Sequence, residues 1–196
     1  MDNLSKNLEE CIICVLKNIG ATLIGVKPAE LRTIKVYDGS YNVWNRCKNV
    51  ILLNEEVEVI ELNKRANRKK VFFYHKSALD RQLSNSKIRN FLMKLGYPKE
   101  YDLKSYLDFL VTRLRKHDLG KRDFPHEIGI FFGYPLKDVL GFMGYSDLEC
   151  TYRQEWKVYG EKNSSLLQKK KFNLARRQFN RKLEQVKNID QFYKVI

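Results

Sequence analysis

No run of 18 apolar residues occurs anywhere in the 196-residue sequence, which excludes a membrane-spanning helix. Cysteine is scarce, with four residues at irregular spacing, and Met1-Asp2-Asn3-Leu4-Ser5-Lys6 lacks a basic region followed by an apolar one. No secretory signal is therefore expected, and the thiols are expected to be reduced in a cytoplasmic protein. Histidine numbers three and is scattered, so a structural zinc site has too few second ligands to complete it. Acidic residues are outnumbered 23 to 37 by Lys and Arg, for a net charge of +14. That imbalance favours an anionic partner, although Lys and Asn are abundant throughout, as an AT-rich coding bias would also make them.

Catalytic signatures are missing as well. There is no G-x-G-x-x-G after a strand, no G-K-[ST] and no Ser-centred nucleophile elbow. His126-Glu127 opens an H-E-x-x-H pattern, but Ile130 stands where the second zinc ligand belongs. Cys11-Ile12-Ile13-Cys14 is a C-x-x-C placed mid-helix, away from the helix N-terminus that would lower a thiol pKa. Both cysteines are read as buried core residues. No metal and no cofactor is expected.

What the chain does hold is enough apolar residues, 43%, for a core. Leu4, Leu8, Cys11, Ile12, Val15, Leu16 and Ile19 recur at helical spacing, predicting a helix over 3–19 that Gly20 ends. Residues 22–31 read as a connector, with Pro28 in the first turn of a short helix, and Ser40 caps a helix through Val43, Trp44 and Cys47. Residues 57–62 and 71–75 form the clearest hairpin. Ser77 and Ser84 read as N-caps of two short helices, and Leu103–Leu114 as a strong helix. A strand or tight turn is expected at 127–132, a helix from Pro135 to about Met143, a strand at 156–159, a long helix over about 162–186 and a closing strand at 192–196. The expectation is one α+β domain over 1–196, with a small, mainly antiparallel sheet containing 57–62, 71–75, 127–132 and 156–159, and helices packed on it.

The densest signal is Phe124–Phe142, which packs His126-Glu127, three glycines, two prolines and Tyr134-Pro135 into nineteen residues. Backbone bent to order beside ionisable groups marks a candidate site. Catalytic candidates are His126, Glu127 and Asp138. A ligand or partner surface is expected around His126, Glu127, Tyr134 and Asp138, with Lys27 and Trp156 as neighbours. The structural alternative ranks higher for His126: a buried ring pinning the bend by hydrogen bonds, with Glu127 at the surface or on a backbone amide. Asp138, early in its helix, also suits the helix dipole without any function.

The final helix carries Lys162, Lys169, Lys170, Lys171, Arg176, Arg177, Arg181 and Lys182 with no acidic residue before Glu184. Lys170, Arg177 and Arg181 form a ridge opposite Phe172 and Phe179. The ridge is either a solvated face or a phosphate-binding surface, and nothing in it supports sequence-specific readout.

Phe124–Phe142, followed by Trp156-Lys157-Val158-Tyr159, resembles an uncharacterised bacterial family of unknown function. That family's hallmark runs F-P-H-E-I-G-x-F-L-G-Y-P-x-x-D-V-x-G-F and precedes a W-K-V-Y strand. Gly20–Leu31 is similar to the family's A-P-T-L-A-G-I-K-P-A-x-L segment, and the likeness extends over about residues 8–186. It implies no established activity. Two family cysteines are replaced, by Ile19 and by Tyr152 with Cys150 displaced by two, so any metal or redox role for them is lost here.

Three functions stand open at this stage. The first is a non-catalytic binding or regulatory protein whose partner is a protein or a small anionic ligand. The second is sequence-indifferent nucleic-acid binding through Lys170, Arg177 and Arg181. The third is an enzyme with His126 as acid or base, oriented by Glu127 or Asp138. A buried His126 with both nitrogens bonded to backbone and no adjoining cavity would end the third reading, whereas an open pocket lined by His126, Tyr134 and a third polar group would raise it above the first. The required side chains must also converge within hydrogen-bond reach.

Overall fold

A computed structural model describes residues 3–35, 41–63, 68–153 and 155–186. Along the chain run α1 (Asn3–Leu23), β1 (Ala29–Lys35), α2 (Tyr41–Leu52), β2 (Val57–Glu61), β3 (Arg68–His75), α3 (Lys76–Leu83), α4 (Ser86–Lys94), α5 (Leu103–Asp118), α6 (Ile128–Phe131), α7 (Leu136–Phe142), β4 (Cys150–Arg153), β5 (Lys157–Tyr159) and α8 (Asn163–Glu184). Helices with small antiparallel sheets make an α+β fold, as expected. The chain forms two compact units, one up to Ser77 plus the residues from Phe172 onward, the other Ala78–Lys171. The expected Ser40 cap and the strand at 192–196 lie outside the described residues.

In the first unit, β3 is the central strand of three, pairing antiparallel with β1 (Ala29↔Tyr74 to Lys35↔Arg68) and with β2 (Val57↔His75 to Glu61↔Val71). The 57–75 hairpin is as predicted. β1 replaces the short helix expected at Pro28: the Pro28 carbonyl accepts from the His75 amide (2.9 Å), which draws the next residues into register with β3. Apolar faces of α1 (Ile12, Leu16, Ile19), α2 (Trp44, Ile51) and the last turns of α8 (Phe179, Leu183) close over Val71 and Phe73.

Helix α1 does not end at Gly20. A Cβ there would sit 2.4 Å from Phe179 Cδ1, so this glycine serves close helix packing. The terminating glycine is Gly25, whose φ of +69° suits the left-handed helix cap. Cys14 is exposed, against its expected burial, while Cys47 is buried. The side chain of Cys11 lies outside the described residues.

The second unit packs α3–α5 around Leu79, Leu92, Tyr106 and Leu110. Asn85, rather than Ser84, caps α4, its side chain accepting from the Lys87 and Ile88 amides. Ser77 lies inside α3, and its amide donates to the Glu56 carboxylate (3.2 Å). Of the two readings of 127–132, strand or tight turn, the structure has a turn, the single helical turn α6 whose four residues are all buried, so this segment is not part of a sheet. An apolar run this short suits either a core strand or a buried turn. The strand at 156–159 exists, but as β5 it pairs with β4 in a separate two-stranded sheet.

Candidate functional site

The site grows out of the way α6 stops. The Tyr134 amide donates to the Gly129 carbonyl (3.0 Å) and the Gly133 amide to the Ile130 carbonyl (3.0 Å). Gly133 takes φ +78°. This is the Schellman pattern, which needs a left-handed residue and therefore favours glycine. It throws Tyr134 outward, and Pro135 starts α7 at once. Gly129 lets the two turns meet, since a Cβ there would lie 3.0 Å from Val139 Cγ2 and 3.2 Å from Tyr134 Cδ2.

One turn on, Asp138 is 1% exposed and ties four segments together. Its Oδ1 accepts from Lys137 Nζ (2.8 Å) and the Tyr159 amide (2.9 Å). Its Oδ2 accepts from Trp156 Nε1 (2.9 Å) and Ser165 Oγ (2.6 Å). Burial pushes this carboxyl's pKa up, but the bonds from Lys137, Ser165, Tyr159 and Trp156 outweigh it and hold the pKa below the ordinary value. Lys137 Nζ also donates to the Tyr159 carbonyl (2.7 Å), so α7 and β5 are clamped on both sides of one ammonium.

The clamp sets Trp156 flat against Tyr134, with ring centroids 4.3 Å apart and planes 19° from parallel. Together they form one wall of a cleft of about 310 Å³ that His126, Val139, Phe142 and Lys157 also line. Phe142 is 42% exposed. Its ring packs edge-to-face with that of His126 (4.9 Å between centroids) and lies under Lys157 Nζ (5.2 Å). His126 is exposed, and its ring also contacts Phe124.

The expected exposures of His126 and Glu127 are thus reversed. Glu127 is fully buried behind the cleft wall, not on it. Arg113 Nε lies 2.7 Å from its Oε1, and Tyr97 donates to the same oxygen (3.2 Å). Burial first, and then the Glu127 charge, push the Tyr97 pKa well above its ordinary value. Neighbouring residues on a helical turn diverge by roughly 100°, so only one of the pair could face the cleft.

Of the expected neighbours, Trp156 joins the site and Lys27 does not. Lys27 belongs to the first unit, where it is buried with Nζ 3.6 Å from Glu30 and over the Phe172 ring. Phe142, Lys157 and the anchoring Ser165 were missed by sequence reasoning as site residues. Strand alternation places Lys157 opposite Trp156 and so gave no signal that both would line one cleft. Lys170, Arg177 and Arg181 are all exposed on α8.

The cleft satisfies the pocket condition for acid–base chemistry, since His126, Tyr134 and a third polar group line it. It does not satisfy the convergence condition. Asp138 is engaged by four other donors, Glu127 is held by Arg113, and the His126 ring makes no hydrogen bond among the described residues. Among the described residues no group of three or more His, Cys, Asp or Glu could hold a metal ion, and no helix is long and apolar enough to cross a membrane.

A family model described as "Protein of unknown function (DUF3793)" matches residues 15–193. No curated protein matches the chain, and no solved structure does.

Proposed function

We propose a non-catalytic binding role for this chain, which belongs to the DUF3793 family of proteins of unknown function, with the Tyr134–Trp156 cleft as the binding site. One observation carries the reading: a buried carboxylate with four hydrogen-bond donors gives one of its bonds to an indole that stands stacked on a phenol at the wall of an open cleft, and ties that wall to α7, β5 and α8 with the rest. Burying a carboxylate is costly unless every lone pair is engaged, and a core does not need that device to pack two aromatic rings. Small-molecule sites are apolar clefts of about 300 Å³ upward with a few placed polar groups, and this cleft stands at the lower bound. A bacterial, cytoplasmic setting fits the family likeness and Cys14 and Cys150, which form no disulfide among the described residues.

Acid–base catalysis by His126 is the weaker reading. The pocket favours it, but no carboxylate among the described residues orients the imidazole, and geometry precedes pKa in such an assignment.

The test follows the Trp156 indole N–H by two-dimensional NMR while 2-naphthamide, a flat neutral probe, is titrated in. A saturable shift is expected in the wild type, with loss of at least tenfold in affinity in a His126→Ala, Tyr134→Ala double variant. Absence of any saturable shift, or an unchanged affinity in the double variant, would overturn the reading.

A further inference from the structure

The cleft's charges differ in how firmly they are held, and that difference selects a ligand. Asp138 has no capacity left: both oxygens already take two donors each. It can offer nothing to a ligand cation. Glu155, at the rim, is exposed and makes no ion pair or hydrogen bond among the described residues, so nothing positions its charge. Lys157 is different. Its ammonium is held over the Phe142 ring at 5.2 Å, and it makes no ion pair among the described residues. The ring's π-face attracts the cation, by about 0.5–1 kcal/mol at an exposed site, and so biases it toward an apolar floor. His126 also packs against the Phe142 ring, and its imidazole presents an N–H in its neutral form.

The walls narrow the choice further. Tyr134 and Trp156 stack on each other, so their facing π-surfaces are already used and cannot close on a cation as an aromatic cage does. Lys157 would repel such a cation directly. A flat apolar body can lie along the exposed edge of the stack and over Phe142, placing one anionic group at Lys157. The chain's net charge of +14 raises the local concentration of any anion as well.

We infer that the Tyr134–Trp156 cleft binds a flat aromatic or conjugated carboxylate, with Phe142 as the floor and Lys157 as the anchor for the carboxylate. The inference rests on the binding reading above and adds the ligand's charge and shape to it.

Three probes of one shape and three charges decide it: 2-naphthoate, 2-naphthamide and 2-naphthamidinium, each titrated against the wild-type chain with the Trp156 indole N–H as reporter. The naphthoate is expected to bind about fivefold more tightly than the amide, the upper end for an exposed ion pair, and the amidinium more weakly than either. Lys157 is exposed, so Lys157→Gln should fold normally and bring naphthoate to within about twofold of the amide. Lys157→Arg should keep the preference. Equal binding of all three probes would sink the charge assignment while leaving the cleft as a binding site. Survival of the anion preference in Lys157→Gln would remove Lys157 as the anchor. If none of the three shifts the indole, the inference and the binding reading fail together.

Discussion

Asp138 shows how much one side chain can organise. The carboxylate pins Trp156 through its indole, β5 through the Tyr159 amide and the first turn of α8 through Ser165. Hydrogen bonds to a charged group contribute about 1.5–3 kcal/mol each in favourable cases, and they are coupled here because they share two oxygens. Asp138→Asn keeps the shape but replaces one acceptor oxygen with a donor that faces other donors. A loss of about 3 kcal/mol in urea unfolding at pH 7 is expected, along with an upfield move of the Trp156 indole N–H. The pH dependence has a definite sign. The folded-state pKa of Asp138 lies below its ordinary value, so its stabilisation is fully present above the unfolded pKa of about 3.9. It is lost as pH falls through the lower, folded value. Wild-type stability should therefore drop more steeply below about pH 4 than that of Asp138→Asn, and parallel acid limbs in the two urea series would refute the role. The sequence made Asp138 visible as a candidate, though not its task. Four of its partners come from positions up to 27 residues away, and the dipole explanation sufficed locally. The swap of His126 and Glu127 has the same origin, since a glycine-flanked turn does not reveal which of two adjacent side chains turns inward.

Elements were legible where a period ran long enough to count. The α1, α5 and α8 stripes and the β2–β3 hairpin were readable because each repeats its spacing over several turns or on both sides of a polar turn. Short elements were not. Ala29–Lys35 alternates poorly because Glu30 is buried beside Thr22, Lys27 and Arg32, so a charged residue occupies an inward position. The α6 turn is apolar throughout and has no period at all. Glycine reveals its use only in three dimensions, and Gly141 is a case that magnitudes can decide. It lies within α7, and a Cβ there would fall 2.4 Å from Cγ of Tyr159. Alanine would gain about 1 kcal/mol from helix propensity. Overpacking costs about 1–3 kcal/mol, and Tyr159 cannot retreat freely because its amide and carbonyl are both engaged in the Asp138–Lys137 clamp. Gly141→Ala should thus be destabilising by up to about 2 kcal/mol, read as a lower thermal midpoint. An equal or higher midpoint would mean that α7 and β5 are not held as tightly as the clamp implies.

At the scale of the whole molecule the dominant property is charge. Thirty-seven basic residues face 23 acidic ones, and any polyanion will be attracted at low salt by that excess alone. The question is whether α8 adds something the rest does not. Lys170, Arg177 and Arg181 are exposed along it, opposite the buried Phe172, Ala175 and Phe179. Exposed cations opposite a core-facing stripe are what any solvated amphipathic helix shows. Nucleic-acid sites that bind single strands add aromatic platforms among their cations, and the exposed large side chains of α8 are Leu167 and Leu174. The ridge therefore reads as a solvated face. Two triple variants of equal charge separate the cases. One is Lys170→Gln, Arg177→Gln, Arg181→Gln, and the other is Lys94→Gln, Lys99→Gln, Lys121→Gln, from residues that are likewise exposed. Binding to a labelled duplex is measured by anisotropy from about 50 mM to about 200 mM salt, the range in which phosphate contacts are lost most steeply. Both triples should weaken binding at about 50 mM alike, through the three charges removed. If the α8 variant alone lowers the slope of log K against log[salt], by nearly one per cation removed, those three residues contact phosphate and the helix is a nucleic-acid surface in its own right.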